Sequence, residues 1–256
     1  MPDLFLDYPE YHLYSESLLD VGREIDNQGH NLELHIHPEF LPERFFTDAE
    51  IKPKYKFDGM SLETAKHVAK HIVELHGRVS SKAPTSFRGG GYRYNENILR
   101  ALADLGIKLT SNDMAARDVG TRAPEPRAPY RWENDLIEVP VSSLPKFRNL
   151  EKIIPSNFNR GVFSNTRFSI EECVERHLEC YERYFEYFPD GVAVMVMHSW
   201  SFWDMDDEGY RSVARPDALE RFDMLLSKAS ELYDIIGFSD LEKSINADNL
   251  PVIKFT

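Results

Sequence analysis

Short apolar runs alternate with segments of helical period along the whole of this chain, and that alternation limits the folds open to it. Extended runs stand at "DLFLDY" (3–8), "LELHIH" (32–37), "PTSFRGGGY" (84–92), "IKLTSND" (107–113), "LIEVPVS" (136–142), "GVAVMVMHSW" (191–200) and "YDIIGFSD" (233–240). The run at 191–200 is apolar almost throughout, which predicts a strand buried on both faces. Between these runs, Leu18, Leu19, Val21 and Ile25 mark a helix over 13–27. Ala65, Val68, Ala69, Ile72 and Leu75 mark another over 61–76, with Ser61 as N-cap and Gly77 just past its end. Ile98, Leu99, Leu102 and Leu105 give a third, closed by Gly106. A long helix follows at 169–188, where Ser169 and Glu172 have capping-box spacing, then helices at 217–230 and near 240–246. His177 belongs to the buried stripe of the long helix. Residues 118–135 carry prolines and no periodicity and so predict a long loop. Strands alternating with helices imply an α/β fold with a mainly parallel sheet or barrel, and 256 residues suit one domain spanning 1–256.

Thirty basic against forty-three acidic residues give a formal charge of -13. That balance argues against a nucleic-acid partner or an anionic membrane held by phosphate neutralisation. No apolar run is long enough to span a bilayer, so no membrane insertion is expected. The start "MPDLFLDYPEYH" lacks the basic and apolar regions of a secretion signal, so the expected location is cytoplasmic. Cys173 and Cys180 fall two helical turns apart, too far along the axis for a disulfide, and are expected as reduced thiols. A homo-oligomer is compatible with this composition.

The chemistry concentrates where strands end. Side chains alternate along a strand, so His35 and His37 project from the same face, and Pro38 then stops the strand. Two imidazoles side by side on a rigid element can share one metal ion. Arg88, Asp113 and His198 also fall at the carboxyl ends of predicted strands, the rim at which α/β folds gather their chemistry. His67 and His71, at i and i+4 on one helix, also have a chelating spacing, but no acidic partner stands near on that face and a solvated helix flank is the expectation.

These segments in their order resemble the polysaccharide deacetylases, the NodB-like carbohydrate esterases. "GHNLELHIHP" resembles the family segment in which a Gly-His pair precedes a strand with metal-binding histidines. "SFRGGGYRYNENILRALADLGI" is similar to its arginine motif, "KLTSND" to the strand whose terminal Asp organises the site, "VMVMHSWSF" to the late strand ending in the catalytic histidine, and "YDIIGFSDLEKSI" to the closing strand and helix. The likeness runs from residue 4 to about residue 246. It departs from the family at two points. The second histidine of the metal strand, four residues on, is Glu39 here, so the ligands are assigned as His35 and His37 with Glu39 as an oxygen ligand. The family also opens with a strand ending in two aspartates, whereas this sequence begins at the strand after it. Either an upstream segment belongs to the protein, or the unit is lost, or another carboxylate substitutes. Asp7 is the nearest in this chain, although the resemblance aligns its strand with the family's second.

The resemblance implies a distorted or incomplete (β/α) barrel, open beside residues 4–8 and 192–198 where the family's first strand would pair. It implies metal-dependent hydrolysis of an N-acetyl group on an amino sugar within a polysaccharide, glycan precursor or sugar nucleotide, with a divalent metal, zinc in the first place, and a carbohydrate as substrate. In that scheme His198 protonates the leaving nitrogen, Arg88 orients the base carboxylate and Asp113 fixes the tautomer of His198. Tyr92, Trp132, Trp200, Phe202 and Trp203 would frame the rim with flat faces suited to sugar rings. Two alternatives remain: a non-catalytic carbohydrate-binding relative, and a metal-dependent amidohydrolase acting on a small cyclic amide.

Overall fold

The first two strands, β1 (Asp3–Asp7) and β2 (Asn31–Ile36), pair in parallel with Asp3 opposite Asn31 and Asp7 opposite His35. The structure is a computed structural model describing residues 3–50, 57, 59–113, 128–142, 169–198, 201–205 and 212–255. Within the expected span 1–256 the chain forms two compact units: Met1–Asp113 with Pro129–Val139 and Ile236–Thr256, and Met114–Ala128 with Pro140–Ile235.

In the first unit β1 and β2 are joined through α1 (Tyr11–Tyr14) and α2 (Glu16–Asn27). Then follow α3 (Leu62–His76), β3 (Ser86–Gly89), α4 (Glu96–Asp104), β4 (Leu109–Thr110), β5 (Tyr130–Trp132) and β6 (Ile137–Glu138). Helix α3 begins at the predicted cap, where Ser61 Oγ accepts from the Thr64 amide, and α4 begins at Asn95, whose side chain accepts from the Ile98 amide. One face of the sheet contributes Leu32, Leu34, Ile36 and Phe87 to a core completed by Leu19, Val68, Ile72, Ile98 and Leu102 of the helices. These apolar stripes hold the sheet through buried area, about 25 cal/mol per Å².

The second unit carries α5 (Ile170–Tyr187), the antiparallel pair β7 (Trp203–Met205) and β8 (Ser212–Ala214), and α6 (Pro216–Leu232). The Ser169 and Glu172 capping box is present at the start of α5. Val174, Cys180 and Tyr181 of α5 pack with Leu225 of α6, and both cysteines are buried free thiols. The chain ends in the first unit with α7 (Phe238–Ser244) and β9 (Val252–Ile253).

The main sheet runs β1-β2-β3-β4-β6-β5-β9, parallel except for the β5–β6 pair. The α/β class and mainly parallel sheet are as expected. Among the described residues the sheet is open rather than closed into a barrel, with β1 at one edge.

Three segments differ from expectation. Residues 191–198 form no regular element and join no ladder among the described residues. Two of their backbone groups bond side chains: Ser142 Oγ and Tyr184 Oη donate to the Val192 carbonyl, and the Val194 amide donates to Ser142 Oγ. Alternate burial of Val194 and Val196 accounts for the apolarity. Residues 233–237 form no strand either; Ile235 and Ile236 are exposed and Phe238 opens α7. Tyr130–Trp132, expected within a loop, form β5, while 114–127 lie outside the described residues. Among the described residues no helix is long and apolar enough to cross a membrane.

Candidate active site

Register builds the site. Asp7 on β1 is opposite His35 on β2, and His35 is opposite Arg88 on β3, so an acid, an imidazole and a guanidinium form a lateral row at the carboxyl ends of three parallel strands. Partners in a parallel ladder share a face, here the one opposite the helix-packed core. Just past β2, His37 turns to the same side, its ring 5.0 Å from that of His35 and nearly perpendicular to it. The two imidazoles are therefore side by side on one face.

Hydrogen bonds select the tautomers. A carbonyl only accepts, so His35 Nδ1–H donates to the Arg88 carbonyl at 2.7 Å, which leaves the lone pair on Nε2. His37 Nδ1–H donates to Glu39 Oε1 at 2.9 Å with the same result. Imidazoles oriented through Nδ1 by a carbonyl or carboxylate present Nε2 in its ligating form. Glu39 thus positions His37 through one oxygen, while its other oxygen is buried with no hydrogen-bond partner among the described residues. Two imidazoles presenting Nε2 fit a divalent cation in donor chemistry, but Glu39, expected as an oxygen ligand, is bonded at the Nδ1 edge of His37 and so lies on the far side of the ring from an ion at Nε2. Among the described residues, no three His, Cys, Asp or Glu side chains are drawn together into a ready metal cluster.

Asp7 completes this corner. Its Oδ1 accepts from the His37 amide at 3.1 Å, and burial raises its carboxyl to about 7, against the weaker downward pull of His37. Glu10, also raised by burial, adds negative charge beside His37. Glycine is required underneath: a Cβ at Gly90 would come within 2.5 Å of the His37 ring, so the glycine turn of the arginine motif seats this imidazole.

Arg88 is buried. Its Nε donates to the Ser111 carbonyl at 3.1 Å and its Nη2 to Ser111 Oγ at 2.9 Å, and the guanidinium lies 4.6 Å from the centre of the Phe5 ring. Burial lowers its pKa to about 10, which leaves it charged at neutral pH. Its side chain forms no ion pair among the described residues; its backbone carbonyl is what orients His35. Asp113, at the end of β4, accepts hydrogen bonds from Tyr94 Oη at 2.8 Å and from Tyr130 Oη. Glu138 accepts from the amides of Asn112 and Asp113 and from Thr110 Oγ1. Burial, with Asp113 close by, holds the Glu138 carboxyl above the usual range.

Sequence reasoning missed Glu138, Tyr94, Tyr130 and Ser111. The signal for Glu138 was an acid inside the apolar run "LIEVPV"; nothing local marked the others. His198 lies in the second unit, half-buried at the end of the 191–198 segment, its carbonyl accepting from the Ser201 amide. Of the expected aromatic rim, Trp132 is fully buried and stacks on Phe255 at 5.1 Å, so it is a core residue. Phe202 packs on Phe222, Trp203 is exposed, and Trp200 lies outside the described residues.

No family model and no curated protein matches the chain. Solved structures do. A protein of Mycobacterium smegmatis assigned as a polysaccharide deacetylase superposes with a TM-score of 0.62 at 16% identity, over 100% of this chain and 75% of that one. An α-amylase of Thermotoga maritima gives 0.51 at 10% identity, over 94% of this chain and 54% of its own. A branching enzyme of the GH57 type from Pyrococcus horikoshii gives 0.50 at 10%, over 97% and 51%. At these identities the likeness is one of fold: the chain has a polysaccharide deacetylase-like α/β fold.

Proposed function

We propose that this chain is a metal-dependent carbohydrate deacetylase, removing the N-acetyl group of an amino sugar as acetate. The observation that carries the reading is the row Asp7, His35 and Arg88 with His37 beside it, at the strand ends of a fold shared with carbohydrate-acting proteins. His35 and His37 would hold the ion through their Nε2 atoms, with Glu39 steadying His37 from its Nδ1 edge. A bound divalent ion such as zinc supplies Lewis acidity and a water of lowered pKa.

The chain's own residues do the rest. Asp7 accepts the proton of the attacking water, and a carboxyl raised by burial towards neutrality is matched to that task. The Arg88 carbonyl and Glu39 keep both imidazoles in one tautomer and one orientation. The Arg88 guanidinium places a fixed positive charge under the row, partly offsetting the buried carboxyls at the ends of β4 and β6. Protonation of the departing nitrogen is assigned to His198 from the resemblance.

The test is acetate release from a panel of N-acetylated sugars, oligosaccharides and sugar nucleotides by zinc-loaded protein. Asp7→Asn should lose roughly two to four powers of ten in rate, the usual weight of a positioned base, while folding normally. A wild type that binds these sugars and releases no acetate makes the chain a carbohydrate-binding relative instead.

A further inference from the structure

Of the two α3 histidines with chelating spacing, His67 is exposed, as its helix suggests, but His71 is half-buried. His71 meets His12 of α1, 59 residues earlier, with the two Nε2 atoms 3.1 Å apart and the rings within 25° of parallel. Both rings pack on Phe45, His71 at 4.9 Å and His12 at 5.8 Å between centres, and His67, one turn earlier on α3, lies on the same phenyl at 4.8 Å. Both members of the pair are half-buried.

We propose that His12 and His71 form a second metal site, binding a divalent transition-metal ion of the zinc, nickel and copper group by a two-imidazole chelate completed by water. Two nitrogens at 3.1 Å can both reach one ion at about 2.1 Å, and widening to roughly 3.3 Å gives the tetrahedral angle. Without an ion the same contact demands that one ring donate a proton to the other, a bond between two half-exposed groups that contributes only about 0.5–1.5 kcal/mol. With an ion, both lone pairs are used. Burial lowers the pKa of both imidazoles first, and neighbouring positive charge, Arg44 for both, lowers them further. The other groups facing the pair are His67, Glu74 and Tyr11; Glu74 is the one acid, acting on His71 in the opposite sense. Imidazole nitrogen donors suit zinc, nickel and copper ions and disfavour calcium or magnesium; among the described residues no third ligand of the His, Cys, Asp or Glu type completes the group. The ion would staple the four-residue helix α1 to the long helix α3.

This site is independent of the deacetylase reading. The experiment uses the full chain, stripped with chelator and titrated calorimetrically with zinc chloride, in a His35→Ala/His37→Ala background that removes the other proposed ligands. One equivalent of zinc should still bind, and adding His71→Gln or His12→Gln should weaken it at least tenfold; magnesium should not bind there. Zinc binding unchanged by both glutamine variants, or no zinc bound in the background protein, overturns the proposal. Should the double-alanine background fail to fold, wild type and His71→Gln are compared after loading with copper(II). A copper spectrum that loses one of two coupled nitrogens supports the site, and identical spectra refute it.

Discussion

The imidazole of His37 rests on Gly90: a Cβ built there would stand 2.5 to 2.6 Å from three ring atoms. The middle glycine of "RGGGY" is therefore the floor of the candidate active site, and its lack of a side chain is a steric requirement.

Gly90→Ala should push His37 away from Glu39 and cost about 1–3 kcal/mol by overpacking. Gly91→Ala is the control. Its φ of +61° strains an alanine, but the nearest foreign atom to its Cβ is the Arg93 side chain at 3.4 Å. Both variants should lower the unfolding midpoint, and Gly90→Ala alone should weaken zinc affinity in a chelator-competition titration.

Glu39→Gln tests the charge behind His37. An amide oxygen can still accept from His37 Nδ1, but it carries no charge to favour a cation. Zinc content after dialysis should fall in this variant and fall further in His35→Ala. Equal metal in wild type and both variants would remove Glu39 and His35 from the site.

The pH dependence of stability should carry the signature of Glu138. Its folded-state carboxyl sits above the unfolded value of 4.5, towards about 7, because burial and Asp113 disfavour the charge. The folded state thus holds the proton more tightly than the unfolded chain. This contribution is fully present below pH 4.5 and is lost as pH rises through about 7. Glu138→Gln should flatten that fall, a difference on the order of 1–3 kcal/mol between the two ends of the window. Urea unfolding of both proteins at several pH values measures it; parallel curves would show that Glu138 does not titrate there.

His198→Ala tests the assignment drawn from the resemblance. Acetate release should drop by roughly two to four powers of ten with zinc affinity unchanged. A variant with full activity would remove His198 from the reaction.

What the sequence by itself determined is what local periodicity encodes. The i, i+2 spacing put His35 and His37 on one face, the caps at Ser61 and Ser169 marked where helices begin, and the alternation of runs gave the α/β class. These depend on bond geometry and hydrogen bonds within a few residues. The tertiary structure decided pairing. Asp7 faces His35, His35 faces Arg88, and His71 meets His12, because ladders and helix packing join segments tens of residues apart, whose register no local pattern states. The run at 191–198 shows the same limit from the other side: its apolarity predicted a strand buried on both faces, but only Val194 and Val196 are buried within it and it joins no ladder among the described residues, because pairing depends on a neighbour's free backbone groups.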